Sequence, residues 1–164
     1  VKEEVYRVAR RYGLAVTLVA NSYMRVPGDD RVRLQVVEEG PDAADDWIVE
    51  RVIGSAKKYV VDASLEGVDE TLEMPGLERP VLLRRKLYHY VLDRLRGDAG
   101  AAWDEVVVVG DIFELDLALP LAMGARVGLA VNDFTPAYER AFIGDHPRGA
   151  LIGGLDEVPS FLDA

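Results

Sequence analysis

Cysteine is absent from the chain, which removes disulfides, thiolate nucleophiles and cysteine-ligated zinc together. Histidine is scarce: His89 and His146 stand far apart, so neither a zinc site nor a Cys–His pair has the material to form. Long apolar runs are missing as well. The longest are short stretches such as residues 106–109, far below the ~20 residues that cross a bilayer, so no membrane span is expected. Val1-Lys2-Glu3-Glu4 shows no basic stretch leading into an apolar one, so no secretory signal is expected and a cytoplasmic location is. Gly97, Gly100, Gly110, Gly153 and Gly154 never form a Gly-x-Gly-x-x-Gly run, which leaves dinucleotide binding unsupported. No Gly-x-Ser-x-Gly elbow presents a serine. Positive charge is also short, with 19 basic against 29 acidic residues and a net charge of −10. Arg84-Arg85-Lys86 is the one dense basic patch and is too short to line a groove, so nucleic acid is not the favoured partner. An acidic excess is otherwise what a solvated surface looks like.

What remains is a chain of 164 residues, 49% hydrophobic and 29% charged, enough for one domain with a buried core. Helical spacing at Val5, Val8, Ala9 and Tyr12 predicts a helix over 1–12, stopped by Gly13. The apolar run 16–20 predicts a buried strand, and alternation at Val32, Leu34 and Val36 a second. Residues 42–53 read as a helix opened by Pro41 and ended by Gly54, 59–61 as a third strand, and 81–95 as a long helix stopped by Gly97. Residues 106–109 are wholly apolar and predict a central strand. A helix over 116–123 ended by Gly124, a strand over 127–131, a helix over 135–142, a strand over 150–152 and a helix over 156–162 complete the order. No repeat or low-complexity tract interrupts it. Strands alternating with helices predict an α/β fold: a Rossmann-like, doubly wound parallel sheet in three αβα layers, as a single domain over 1–164.

In such a sheet the chemistry belongs at the carboxyl ends of the strands. The informative tip is Gly110-Asp111, running on to Asp116. Gly110 permits a tight turn, Asp111 sits at the tip and Asp116 opens the next helix. Two carboxylates so placed suit Mg²⁺, which takes one or two carboxylates and fills its remaining positions with water and phosphate. Spacing alone equally allows Asp116 to be a helix cap and Asp111 a turn former. Trp47 and Trp103 read most simply as packing residues.

Residues 55–164 resemble the C-terminal part of the haloacid dehalogenase superfamily core, a HAD-like fold. Gly110-Asp111 with Asp116 matches that family's fourth motif, which implies Mg²⁺ at Asp111 and Asp116. Lys86 matches its third motif, in which a cation offsets phosphoryl charge, although Arg84 and Arg85 are alternatives and a solvated cation is the plainer reading. Leu18-Val19-Ala20-Asn21-Ser22 supplies an ending like its second motif, which implies phosphate contacts from Ser22 and Asn21; Asn-Ser is also ordinary turn chemistry. The first motif, Asp-x-Asp, has no counterpart after an apolar strand. Asp62, with Ser64 where the second Asp would stand, comes nearest.

Residues 1–53, notably Val16-Thr17-Leu18-Val19-Ala20-Asn21-Ser22 and Gly40-Pro41-Asp42 to Ile48, resemble the YaiI/YqxD family of PIN-nuclease-like proteins. The resemblance implies a metal-dependent carboxylate site that includes Asp42 and Asp45. The two resemblances meet at a junction near 53–55, which implies an engineered or recombined chimera. The expected function is then a non-catalytic or poorly active chimera with a remnant phosphate and weak Mg²⁺ site for a small phosphorylated molecule. A Mg²⁺-dependent phosphatase of the dehalogenase type, or a PIN-like nuclease using Asp42, Asp45 and Asp62, are the alternatives. An open sheet edge makes self-association an expectation.

Overall fold

The computed structural model describes residues 16–19, 36–37, 49–53 and 56–163. The chain divides into two compact units, Val1–Lys57 and Lys58–Ala164. In the first, β1 (Val16–Val19), β2 (Val36–Val37) and β3 (Val49–Ile53) pair in the order β1-β3-β2. β1 runs parallel to β3, with Leu18 opposite Val52, and β2 runs antiparallel to it. The strand expected at 16–20 is thus present, and Val36 belongs to a strand as expected. Residues 49–53, expected as the end of a helix, form the middle strand instead. Val49, Val52 and Ile53 are β-branched, and pairing on both edges outweighs helical spacing. The helix over 1–12, Val32, Leu34 and residues 42–48 lie outside the described residues.

The second unit opens with an irregular segment. Tyr59, Val60 and Val61, expected as a strand, are exposed and join no ladder; Asp62 N–H donates to the Arg84 carbonyl at 2.7 Å. A β-branched run does not by itself supply a partner strand. A small antiparallel ladder joins β4 (Thr71–Leu72) to β5 (Val81–Leu82). β5 corrects the helix expected from residue 81. Val81 and Leu83 are buried and Leu82 is exposed, an alternation hidden because all three are apolar. The helix itself is α1 (Lys86–Ala99), which passes through Gly97 and stops at Gly100. Gly100 adopts φ +66° and donates to the Gly97 carbonyl, while Ala101 N–H donates to that of Arg96.

From there the alternation follows the sequence. β6 (Val107–Gly110), β7 (Arg126–Ala130) and β8 (Gly149–Ile152) are parallel in the order β6-β7-β8, and α2 (Ala118–Met123) and α3 (Ala137–Asp145) cross between them. Parallel neighbours require such crossovers. α4 (Val158–Asp163) closes the unit. The described residues therefore form a mixed α/β fold with a parallel sheet. β7, not β6, is central among the three strands: Val127, Gly128 and Leu129 are buried, while the valines of β6 are half-buried. An all-valine strand does not reveal how many neighbours it has. Phe113, Leu117, Leu119, Val127, Leu129, Ile143 and Ile152 form the core. Each fully buried side chain of this size contributes about 1.5–3 kcal/mol. Arg126 fixes α4 to β7: its guanidinium donates to the Leu162 carbonyl at 3.1 Å and lies over the Phe161 ring.

Candidate functional site

The carboxyl end of β6 carries a cluster of buried and ion-paired polar side chains. After Gly110 the chain turns through exposed Asp111 and Ile112 into a π-helical turn, Phe113–Leu117, which leads into α2. Asp116 lies inside that turn and is only 8% exposed. Its Oδ1 accepts from Lys58 Nζ at 2.7 Å, and its Oδ2 accepts from Ile112 N–H at 3.2 Å. Its own N–H donates to the Ile112 carbonyl at 2.8 Å, and its carbonyl accepts from the buried Tyr88 hydroxyl at 2.7 Å. Asp116 is therefore an ion-paired side chain that closes the turn on itself, and the Tyr88 bond fastens the first turn of α1 to it.

Gly110 makes this possible. A Cβ at that position would stand 2.4 Å from Asp116 Cβ and 2.8 Å from its Oδ2, closer than carbon atoms pack. Gly110 does not need a left-handed backbone here; it needs the missing side chain. The chain thus brings a carboxylate directly against the end of the strand.

Lys58 is set from several directions. Its ammonium lies 5.3 Å from the Tyr88 ring centroid, and its backbone carbonyl accepts from Arg85 Nη1. Arg85, only 3% exposed, also donates to the Leu82 carbonyl at 3.1 Å and to Glu114 Oε1 at 3.3 Å. Glu114 receives the fork of Arg79 at 3.1 and 2.7 Å. The Arg79 hydrogen bond, reinforced by the charges of Arg79 and Arg85, holds the Glu114 carboxyl below its ordinary range against partial burial. Glu139, on α3, is buried behind the turn and accepts from Phe113 N–H at 3.4 Å; burial pushes its carboxyl upward.

A second cluster sits at the start of α1. Lys86, its first residue, is exposed and donates to Ser64 Oγ at 2.8 Å. Ser64 Oγ donates in turn to Asp62 Oδ1 at 2.6 Å, and Ser64 N–H reaches the same oxygen at 2.9 Å. These two donors keep Asp62 below the ordinary carboxylate range. The helix has neither a side-chain cap at Arg85 nor an acidic residue in its first turn.

The structure thus brings Lys86 together with Asp62 and Ser64, and places Asp111 and Asp116 on one turn with different surroundings. Asn21, Ser22, Asp42 and Asp45 lie outside the described residues. His89 lies 6.1 Å from the Trp103 ring centroid, and His146 lies 6.0 Å from that of Phe142 and accepts from Arg148 N–H at 3.1 Å. Lys58 and Glu114 carried no motif in the sequence, and Arg85 entered only as an alternative to Lys86.

A divalent cation fits this cluster poorly. Among the described residues no three histidine, cysteine or carboxylate side chains gather to hold a metal. Both oxygens of Asp116 already accept from donors, one of them an ammonium group.

Comparison with known proteins concerns the other end of the chain. Residues 1–63 match the model of a family described as "Uncharacterized BCR, YaiI/YqxD family". A UPF0178 protein of Paramagnetospirillum magneticum is 58% identical over 52 residues, covering 32% of this chain and 34% of that protein. One from Rhodospirillum centenum is 60% identical over 52 residues, with the same coverage of 32% and 34%. One from Sphingopyxis alaskensis is 47% identical over 73 residues, 44% of this chain and 46% of that protein. The chain spans about a third of the length of the first relatives it matches. No solved structure matches.

The resemblance of the N-terminal segment is therefore shown, and the expected chimera is corrected. The family match runs to residue 63, past the junction expected at 53–55, and the relatives are UPF0178 proteins of natural bacteria. Nothing in the comparisons shows a haloacid dehalogenase segment. An engineered chimera with a remnant site of that type and a phosphatase of that type both give way to this finding, and the matched family's description assigns no activity, nuclease or other. As to membranes, no helix among the described residues is long and apolar enough to cross one.

Proposed function

We propose that residues 58–163 form a Rossmann-like binding module for a small phosphorylated molecule, with the oxyanion held at the start of α1. The observation that carries this reading is the Lys86–Ser64 contact of 2.8 Å at the first residue of a 14-residue helix without a side-chain cap. A helix of that length presents unpaired N–H groups and a partial positive charge at its first turn, and both favour a phosphate oxygen. Lys86 adds a full charge and Ser64 a hydroxyl. The Tyr88–Asp116 bond supports the reading by fixing this end of α1 to the turn after β6. Asp62 opposes it: its negative charge belongs to the same cluster, so affinity is modest and phosphate competes with Asp62 for Lys86 and Ser64.

Titration calorimetry of the full chain with phenyl phosphate tests this. Saturable binding is expected, weakened about tenfold by Lys86→Met, which corresponds to roughly 1.4 kcal/mol. Ser64→Ala is expected to weaken it by a smaller factor. Equal affinity in Lys86→Met and the parent chain overturns the reading.

A further inference from the structure

The two carboxylates that would hold Mg²⁺ on their spacing are not equivalent. Asp111 is exposed, whereas Asp116 is buried and already has a counter-ion. We infer that Lys58 occupies the cation position at Asp116, a tethered ammonium in place of a divalent metal, so that this strand tip works without Mg²⁺. The inference concerns the carboxylate and its counter-ion, and is independent of the phosphate reading above.

Geometry carries it. Mg²⁺ binds carboxylate oxygen at about 2.0–2.1 Å and demands near-octahedral space for its remaining waters. On Asp116 Oδ1 that space is taken, because Lys58 Nζ sits 2.7 Å away. Oδ2 faces Ile112 N–H at 3.2 Å and packs against the bare Cα of Gly110. A metal on either oxygen must displace a hydrogen-bond donor, and on Oδ1 it would also meet a like charge in a buried place, where such repulsion is poorly screened. Lys58 cannot easily withdraw. Arg85 grips its backbone carbonyl, and Arg85 is itself buried and held by Glu114 and the Leu82 carbonyl. Arg85 and Glu114 thus act as positioning residues for the ammonium. A buried pair of this kind neutralises itself, so burying Asp116 needs no metal.

Lys58 thereby keeps a metal off Asp116 Oδ1. Without that ammonium, Asp116 Oδ1 loses its counter-ion, at the end of a strand that also carries solvent-facing Asp111. Mg²⁺ is content with one or two carboxylates and several waters. Removing Lys58 should therefore create a Mg²⁺ site.

Mg²⁺ titrations of the full chain by calorimetry, with near-UV circular dichroism as the check on folding, decide the matter. In the parent chain, Asp116→Asn is expected to leave Mg²⁺ uptake unchanged. Lys58→Gln is expected to raise Mg²⁺ affinity at least tenfold, and the double variant Lys58→Gln with Asp116→Asn to lose that gain. Mg²⁺ uptake in the parent that Asp116→Asn weakens tenfold overturns the inference, as does a folded Lys58→Gln chain that gains none. If either variant fails to fold, the parent chain decides alone. Its melting temperature in MgCl₂ and in NaCl of equal ionic strength is expected to be the same, and a rise specific to MgCl₂ overturns the inference.

Discussion

Replacing Gly110 by alanine tests the close approach on which the β6 tip depends. The added Cβ would lie 2.4 Å from Asp116 Cβ, 2.9 Å from its Cγ and 2.8 Å from its Oδ2. All three atoms belong to one side chain held through both carboxylate oxygens, and Cβ follows the backbone of the turn, so no rotamer change relieves the clash. Gly110 is outside the left-handed region, so the cost is steric and not conformational. Overpacking of this kind costs about 1–3 kcal/mol. Shifting the turn also stretches the 2.7 Å Lys58–Asp116 pair, and breaking a buried pair outright costs about 3–5 kcal/mol. Partial relaxation removes only part of that, and alanine returns about 0.4–1 kcal/mol by restricting the unfolded chain. A net loss of about 2–4 kcal/mol follows. Gly97→Ala is the control: Gly97 lies inside α1, nothing stands within 4 Å of its added Cβ, and the change should stabilise by about 0.5–1 kcal/mol. Urea denaturation followed by Trp103 fluorescence, in a Trp47→Phe background so that one tryptophan reports, gives both numbers. A Gly110→Ala chain within about 0.5 kcal/mol of its parent refutes the steric argument, because surface changes of no consequence fall in that range.

Three further outcomes follow from the charges. Glu139 has its carboxyl raised above its ordinary 4.5 by burial, so the stability it contributes is fully present below 4.5 and is lost as pH rises through the raised value. Glu139→Gln should therefore be more stable than the parent at pH 7, with the difference closing below pH 4.5, as thermal melts across pH would show. Glu114, held low by Arg79, has the opposite sign: its contribution is present above its ordinary 4.5 and is lost on acidification, so Glu114→Gln should flatten the acid limb of the same curve. Asp62→Asn removes the negative charge beside Lys86 and Ser64, and phenyl phosphate should bind more tightly to it than to the parent; weaker binding would mean that Asp62 orients the donors more than it repels the ligand.

Local pattern alone determined the alternation from residue 106 onward. β6, β7 and β8 are short apolar runs, and the glycine after α2 ends it where expected, with Gly124 at φ +103°. It also located the carboxylates of the β6 tip, because a strand, a glycine and an aspartate in succession leave few other arrangements. The N-terminal resemblance was carried by residues alone as well. Three things required the tertiary structure. Residues 49–53 became a strand because β1 and β2 offered edges on both sides, and pairing energy is non-local. Residues 81–83 became a strand and a buried anchor because Thr71 and Leu72 lie alongside, a partner that no window around residue 81 contains. The identity of the cation at Asp116 was decided by Lys58, which is 58 positions away in sequence and joins it at 2.7 Å. Spacing shows which carboxylates share a turn. Only the packed chain shows which charge meets Asp116, because a buried carboxylate needs a partner and its neighbours in sequence supply no cation.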